Sequence, residues 1–113
     1  MSQKHILIVD NERHMLRLIQ FSLIRTGCSI STADGGRAAL AELERAPADL
    51  MIIDLAMPDL GGFETIREVR KRPALAHLPV IVITARGESV DAVSDTFRTL
   101  FGAQPMPLPL EVE

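Results

Sequence analysis

The chain contains no tyrosine and no tryptophan, so its aromatic content rests on four phenylalanines. Cysteine is also scarce. Cys28 stands alone, which rules out an internal disulfide, fits a cytoplasmic location, and reads as a small half-buried residue opening a strand. Long apolar runs are missing, and the stretch that follows Met1-Ser2-Gln3-Lys4 is too short for a signal peptide or a membrane span. No membrane association is expected. Neither sign of charge dominates, because a net charge of -3 exerts no general pull toward nucleic acid or acidic lipid. The basic stretch Arg67-Glu68-Val69-Arg70-Lys71-Arg72 has no aromatic residue within it and reads as a solvated helix face, so no direct nucleic-acid contact is expected. His5, His14 and His77 share no metal-ligand spacing and read as structural or exposed, and no glycine-rich phosphate loop follows the first apolar run. Lysine is absent after Lys71.

What is present is a set of short apolar runs that each stop at a polar residue. Ile6-Leu7-Ile8-Val9 ends in Asp10, Leu50-Met51-Ile52-Ile53 ends in Asp54, and Val80-Ile81-Val82-Ile83 ends in Thr84. Runs of this kind are the pattern of buried parallel strands with polar groups at their carboxyl ends. In open α/β sheets ligands bind at that edge, beside the topological switch point. Two carboxylates and a hydroxyl are therefore expected to converge there.

Between the runs the periodicity changes to helical. Strands are predicted at Ile6–Asp10, Ser29–Ala33, Leu50–Asp54 and Val80–Thr84. Arg13–Thr26 carries an apolar stripe at Leu16, Ile19 and Leu23 and stops at Gly27; Gly36–Arg45 is rich in alanine and leucine; Phe63–Arg72 ends before Pro73; Ser89–Leu100 is the fourth helical stretch. Alternating strands and helices in a chain of 113 residues predict a doubly wound parallel sheet in one domain covering residues 1–113. The segment Gly102–Leu110 places Pro105, Pro107 and Pro109 at every second position. In a strand all three missing donors would face one side, which suits only an edge strand; an unpaired polyproline-like tail is the competing reading.

In their order and spacing these residues resemble the receiver domain of two-component response regulators, over nearly the whole chain. Asp10-Asn11-Glu12 is similar to that family's acidic first loop, Asp54 with Met57-Pro58 and Gly62 to its phosphoacceptor segment, Thr84-Ala85 to its switch pair, and Gly102-Ala103 to the turn before its last strand. The resemblance implies a flavodoxin-like five-stranded sheet of order 2-1-3-4-5. It also implies a phosphorelay function, in which Asp54 is the nucleophile that accepts a phosphoryl group from a histidine kinase or phosphotransfer protein and a downstream protein or output domain reads the change. Mg2+ is the implied cofactor, held by Asp10, Asn11, Asp54 and the backbone carbonyl of Ala56, with Thr84 contacting the phosphoryl group and Ala85 leaving space beside it. Such a domain is not a turnover enzyme.

The sequence departs from the family in ways that bear on this chemistry. Asn11 stands where the family usually has a second acid, so weaker Mg2+ binding is expected, with Glu12 next door as a substitute ligand. The family's lysine before the proline of strand five has no counterpart, because Leu108 precedes Pro109 and no lysine follows Lys71. A unit charge about 4 Å from a phosphoryl oxygen is worth up to roughly 4 kcal/mol at an effective dielectric near 20. Arg86, just past Thr84, is the candidate to lean into the site instead. The aromatic switch of strand five is missing, with Met106 in its place. The fifth helix would begin where the chain stops at Leu110-Glu111-Val112-Glu113. Its absence is expected to leave an apolar face open, through which two copies of the chain would associate. Two readings follow: a phosphoacceptor switched at Asp54, and a receiver-like interaction module that has lost the chemistry. A nucleotide- or flavin-binding flavodoxin-like domain is a third, disfavoured because Asp10-Asn11-Glu12 would repel a phosphate.

Overall fold

The computed structural model describes residues 3–54, 57 and 60–83. In chain order these form β1 (His5–Val9), α1 (Arg13–Leu23), β2 (Ser29–Ala33), α2 (Gly36–Arg45), β3 (Leu50–Asp54), α3 (Gly62–Arg70) and β4 (Val80–Ile83). All strand pairings are parallel, and the sheet order is β2-β1-β3-β4, the flavodoxin-like arrangement. The predicted helix Ser89–Leu100, the proline-rich edge strand and hence the fifth sheet position lie outside the described residues.

Successive side chains of a strand point to opposite faces, and the core divides accordingly. Ile6, Ile8, Leu50, Ile52, Ile81 and Ile83 pack with Leu16, Ile19 and Leu23 of α1 on one face. Leu7, Val9, Met51 and Ile53 pack with Ala39 and Leu43 of α2 and Val69 of α3 on the other. Every residue of the runs 6–9 and 50–53 is 1% exposed or less, which explains why both read as unbroken apolar segments rather than alternating ones.

The helices obey their local signals. Leu16, Ile19, Ser22 and Leu23 are the buried positions of α1. After Leu23 the chain tightens into a 3₁₀ turn, Ile24–Thr26, and stops at Gly27, whose φ of 77° is the left-handed conformation that favours glycine. So the stretch predicted as one helix to Thr26 changes hydrogen-bonding pattern in its last turn. α3 ends at Arg70, short of the predicted Arg72, because the residue before Pro73 is driven into extended backbone and Arg72 sits at φ −90°, ψ 122°. One guanidinium nitrogen of Arg70 donates to the carbonyls of Leu75, Ala76 and Leu78, at 3.3, 3.1 and 2.6 Å, which ties the turn after α3 to the helix end.

On the sheet face beside α1, Leu50, Ile52, Ile81 and Ile83 are 0%, 0%, 3% and 5% exposed. The segment after Ile83, on which the expected apolar opening and the association of two copies turn, lies outside the described residues.

Candidate functional site

The direction of winding reverses between β1 and β3. From β1 the chain crosses to β2 on one side, and from β2 it returns across β1 to β3 on the other. A crevice therefore opens at the carboxyl ends of these two central strands, and Asp10 and Asp54 stand at its two lips. The ladder pairs Val9 with Ile53, so the residues one step further on, Asp10 and Asp54, stand side by side at the carboxyl edge of the sheet.

Asp10 is the more constrained of the two. It lies just past β1, is 4% exposed, and its backbone N–H donates to the carbonyl of Ala33 at 3.1 Å. Its carboxylate oxygen Oδ1 accepts the backbone N–H of Glu12 at 2.9 Å. Burial pushes its pKa up from 3.8 to about 6; the negative charges of Asp54 and Glu12 push the same way, and the Glu12 N–H opposes them. Asp54 ends β3, is half-buried, and pairs in register with Ile83 of β4. Two carboxylates thus stand together at the end of a buried sheet, and burial makes one of them resist ionisation.

That donor set suits a hard divalent cation. Magnesium takes oxygen ligands and is commonly held by one or two carboxylates, with water or phosphate completing the shell. Among the described residues no group of three or more His, Cys, Asp or Glu side chains is placed to hold a metal ion. Among the described residues, the carboxylates at this edge are Asp10 and Asp54, and the amide of Asn11 is the neutral oxygen nearest to them in sequence. Asn11 is exposed and lines a cleft of about 480 Å³ between α1 and α2, together with Arg13, Arg17, Thr32 and Asp34.

The remaining residues singled out from sequence divide into placed and undescribed. Met57 is buried and joins the core cluster on the α2 and α3 side, and Gly62 is the buried first residue of α3. Glu12 is exposed and precedes α1; its described tie to the site is through its backbone N–H and its charge. Ala56, Pro58, Thr84, Ala85, Arg86, Met106 and Leu108 lie outside the described residues. The histidines behave as expected. His5 is half-buried with both ring nitrogens bonded, Nδ1 to Ser29 Oγ at 2.9 Å and Nε2 to Ser31 Oγ at 3.0 Å, while His14 and His77 are exposed. Sequence reasoning did not find Gly36, Leu60 and Thr65, which meet where α2, the loop after β3 and α3 converge. Only the Gly35-Gly36 pair hinted at a close approach, and it reads equally as a helix start.

Comparison with known proteins agrees with this fold. Over 90 residues, 80% of its length, the chain is 34% identical to the alkaline phosphatase synthesis transcriptional regulatory protein PhoP of Bacillus subtilis, of which it spans 37%. That relative regulates transcription, which an expectation of no nucleic-acid partner does not fit. The Vibrio cholerae chemotaxis protein CheY4 superposes with a TM-score of 0.73 at 28% identity, covering 81% of each chain. The Thermotoga maritima response regulator TrrA, solved in complex with Mg2+ and BeF, superposes with a TM-score of 0.69 at 32% identity, covering 83% of this chain and 80% of that one. The family model for the response regulator receiver domain matches residues 6–97. With that match and the two acids at the switch point, the chain belongs to the response regulator receiver domain family of two-component systems.

Proposed function

We propose that this domain accepts a phosphoryl group on Asp54 from a histidine kinase or phosphotransfer protein in the cytoplasm, with Mg2+, and that the change alters its contact with a downstream protein or output domain. The observation that carries this reading is the adjacent pair Asp10 and Asp54 at the ends of β1 and β3, with Asp10 buried and its pKa raised to about 6. Keeping such a pair together in the absence of a ligand opposes folding, which suits a site built to receive positive charge rather than one built for stability.

Each residue has a distinct task. Asp54, half-buried at a strand end, presents a carboxylate oxygen to the incoming phosphorus. Asp10 is oriented by the Glu12 N–H, which leaves its second oxygen to face a cation. Asp10, Asp54, the Asn11 amide and the Ala56 carbonyl would hold Mg2+, which when bound supplies the positive charge that offsets the phosphoryl oxygens. Thr84 is assigned the phosphoryl contact and Ala85 the space beside it, while Met57, seated in the core, anchors the loop that follows Asp54.

Lys71 is the last lysine of the chain, and Asn11 replaces an acid. These favour slower phosphorylation than in a receiver with the full set, and they are the ground for the second reading, a phosphorylation-independent interaction module. Intact-mass measurement with Mg2+ and acetyl phosphate separates the two. Addition of one phosphoryl group to the wild type, absent in Asp54→Asn, supports the phosphoacceptor; a folded wild type that takes up none leaves the interaction module.

A further inference from the structure

Two glycines stand at the start of α2 in opposite circumstances. A Cβ built on Gly35 meets nothing within 4 Å, and its φ of −178° is extended backbone open to any residue. A Cβ built on Gly36 would lie 2.2 Å from Thr65 Oγ1, 2.7 Å from Leu60 Cβ and 2.7 Å from the Leu60 carbonyl oxygen. The last of these is backbone, which no rotamer change can move aside. Gly36 is buried, and the first turn of α2 presses directly on the chain at Leu60. From the other side Leu60 and Gly61 are held by α3. Thr65, wholly buried, donates its hydroxyl to the Gly61 carbonyl at 2.8 Å and approaches the Leu60 carbonyl at 3.4 Å, and its backbone N–H reaches the Gly61 carbonyl at 2.9 Å.

We propose that Gly36 and Thr65 are positioning residues for the loop leaving Asp54, clamping Leu60–Gly61 between α2 and α3 and so supplying that loop's far anchor. The assignment to chemistry rests on the phosphoacceptor reading of Asp54. The loop has three fixed points: Asp54 in its ladder with Ile83, Met57 in the core, and the clamp at Leu60–Gly61. Removing the third puts the strain of holding the loop onto Met57 and Asp54, and displacement of reacting groups by about 1 Å lowers rates by as much as 10²-fold. Helix propensity alone predicts the opposite for alanine at position 36, since alanine is the better helix former.

The test compares the wild-type chain with Gly35→Ala, Gly36→Ala and Thr65→Val, reading backbone amide shifts without Mg2+ and the rate of phosphorylation by acetyl phosphate at saturating Mg2+. Gly36→Ala should shift the amides from Asp54 to Thr65 while β2 stays in place, and should slow phosphorylation about ten-fold. Thr65→Val, which keeps the volume and removes the hydroxyl, should do the same more weakly. Gly35→Ala should leave loop and rate as in the wild type. A folded Gly36→Ala with wild-type loop amides and rate, or a Gly35→Ala that perturbs the loop as much, overturns the proposal. If Gly36→Ala fails to fold, Thr65→Val decides: moved loop amides with a slower rate uphold the clamp, and wild-type values refute it. A wild type that takes up no phosphoryl group refutes the phosphoacceptor reading instead, and the loop amides of the variants still decide for or against the clamp.

Discussion

The two ends of β1 carry opposite solutions to the same problem, a polar side chain at the rim of an apolar sheet. At the amino end His5 gives both ring nitrogens to serine hydroxyls of β2, and its backbone N–H donates to Asp49 Oδ2 at 2.8 Å while its carbonyl accepts the Asp49 N–H at 2.8 Å. At the carboxyl end Asp10 is more deeply buried, accepts the Glu12 N–H, and faces two further negative charges. Both ends satisfy their hydrogen bonds, since no buried side-chain nitrogen or oxygen among the described residues is left without a partner. What differs is the company each group keeps: His5 sits among hydroxyls and one bonded carboxylate, whereas Asp10 is pressed by the charges of Asp54 and Glu12. Hydrogen-bond satisfaction by itself does not distinguish the two rims.

The comparison can be broken most severely at Asp54. Asp54→Asn removes the proposed nucleophile and should lower phosphoryl uptake by more than 10²-fold in an intact-mass assay, while melting temperature holds or rises because a like charge has gone.

Asp10→Asn should lower Mg2+ affinity at least ten-fold in an NMR titration and yet stabilise the Mg2+-free protein at pH 7.5, on the order of 1–2 kcal/mol by urea denaturation. The sign follows from the raised pKa. Near pH 3 Asp10 is protonated in folded and unfolded chains alike and the variant gains nothing. Between about 4 and 6 the unfolded chain releases its proton first, so the wild type loses stability as pH rises. Above about pH 6 the wild type carries the full penalty. Mg2+, which binds the folded state, should then reverse the order of the two proteins.

At the other end, His5→Ala should destabilise the fold by about 1–3 kcal/mol, since it leaves Ser29 and Ser31 without their shared partner, and should leave Mg2+ affinity unchanged. Loss of Mg2+ binding in that variant would mean that the two ends are coupled.

The smallest expected effect is a gain. Asn11→Asp adds a carboxylate beside Asp10 and Asp54 and should tighten Mg2+ by about three- to ten-fold, in keeping with the charge a hard cation prefers, at some loss of stability without metal.

How far the sequence anticipates this molecule depends on whether the deciding force is local. β2, α2 and β3 fall on their predicted bounds because glycine, proline and periodicity punctuate them within a few residues. β1 begins at His5 and stops at Val9, one residue ahead of the predicted Ile6–Asp10, because its ladder with β2 runs from the His5–Ser29 pair to the Val9–Ala33 pair. The acids at the switch point were legible because strand-end position is a topological fact. The contact among Gly36, Leu60 and Thr65 was not, because it joins segments far apart in the chain and leaves no periodic trace.

If the carboxyl ends of β1 and β3 form a cation-dependent phosphoacceptor site, a backbone NMR titration of the wild-type chain with Mg2+ and beryllium fluoride, with Asp54→Asn alongside, reads it directly. Saturable shifts should centre on Asp10, Asn11 and Asp54 and be absent from the control, with His5, Ser29 and Ser31 unmoved. A folded wild type that shows no such shifts, or shows them equally in Asp54→Asn, would contradict that assignment.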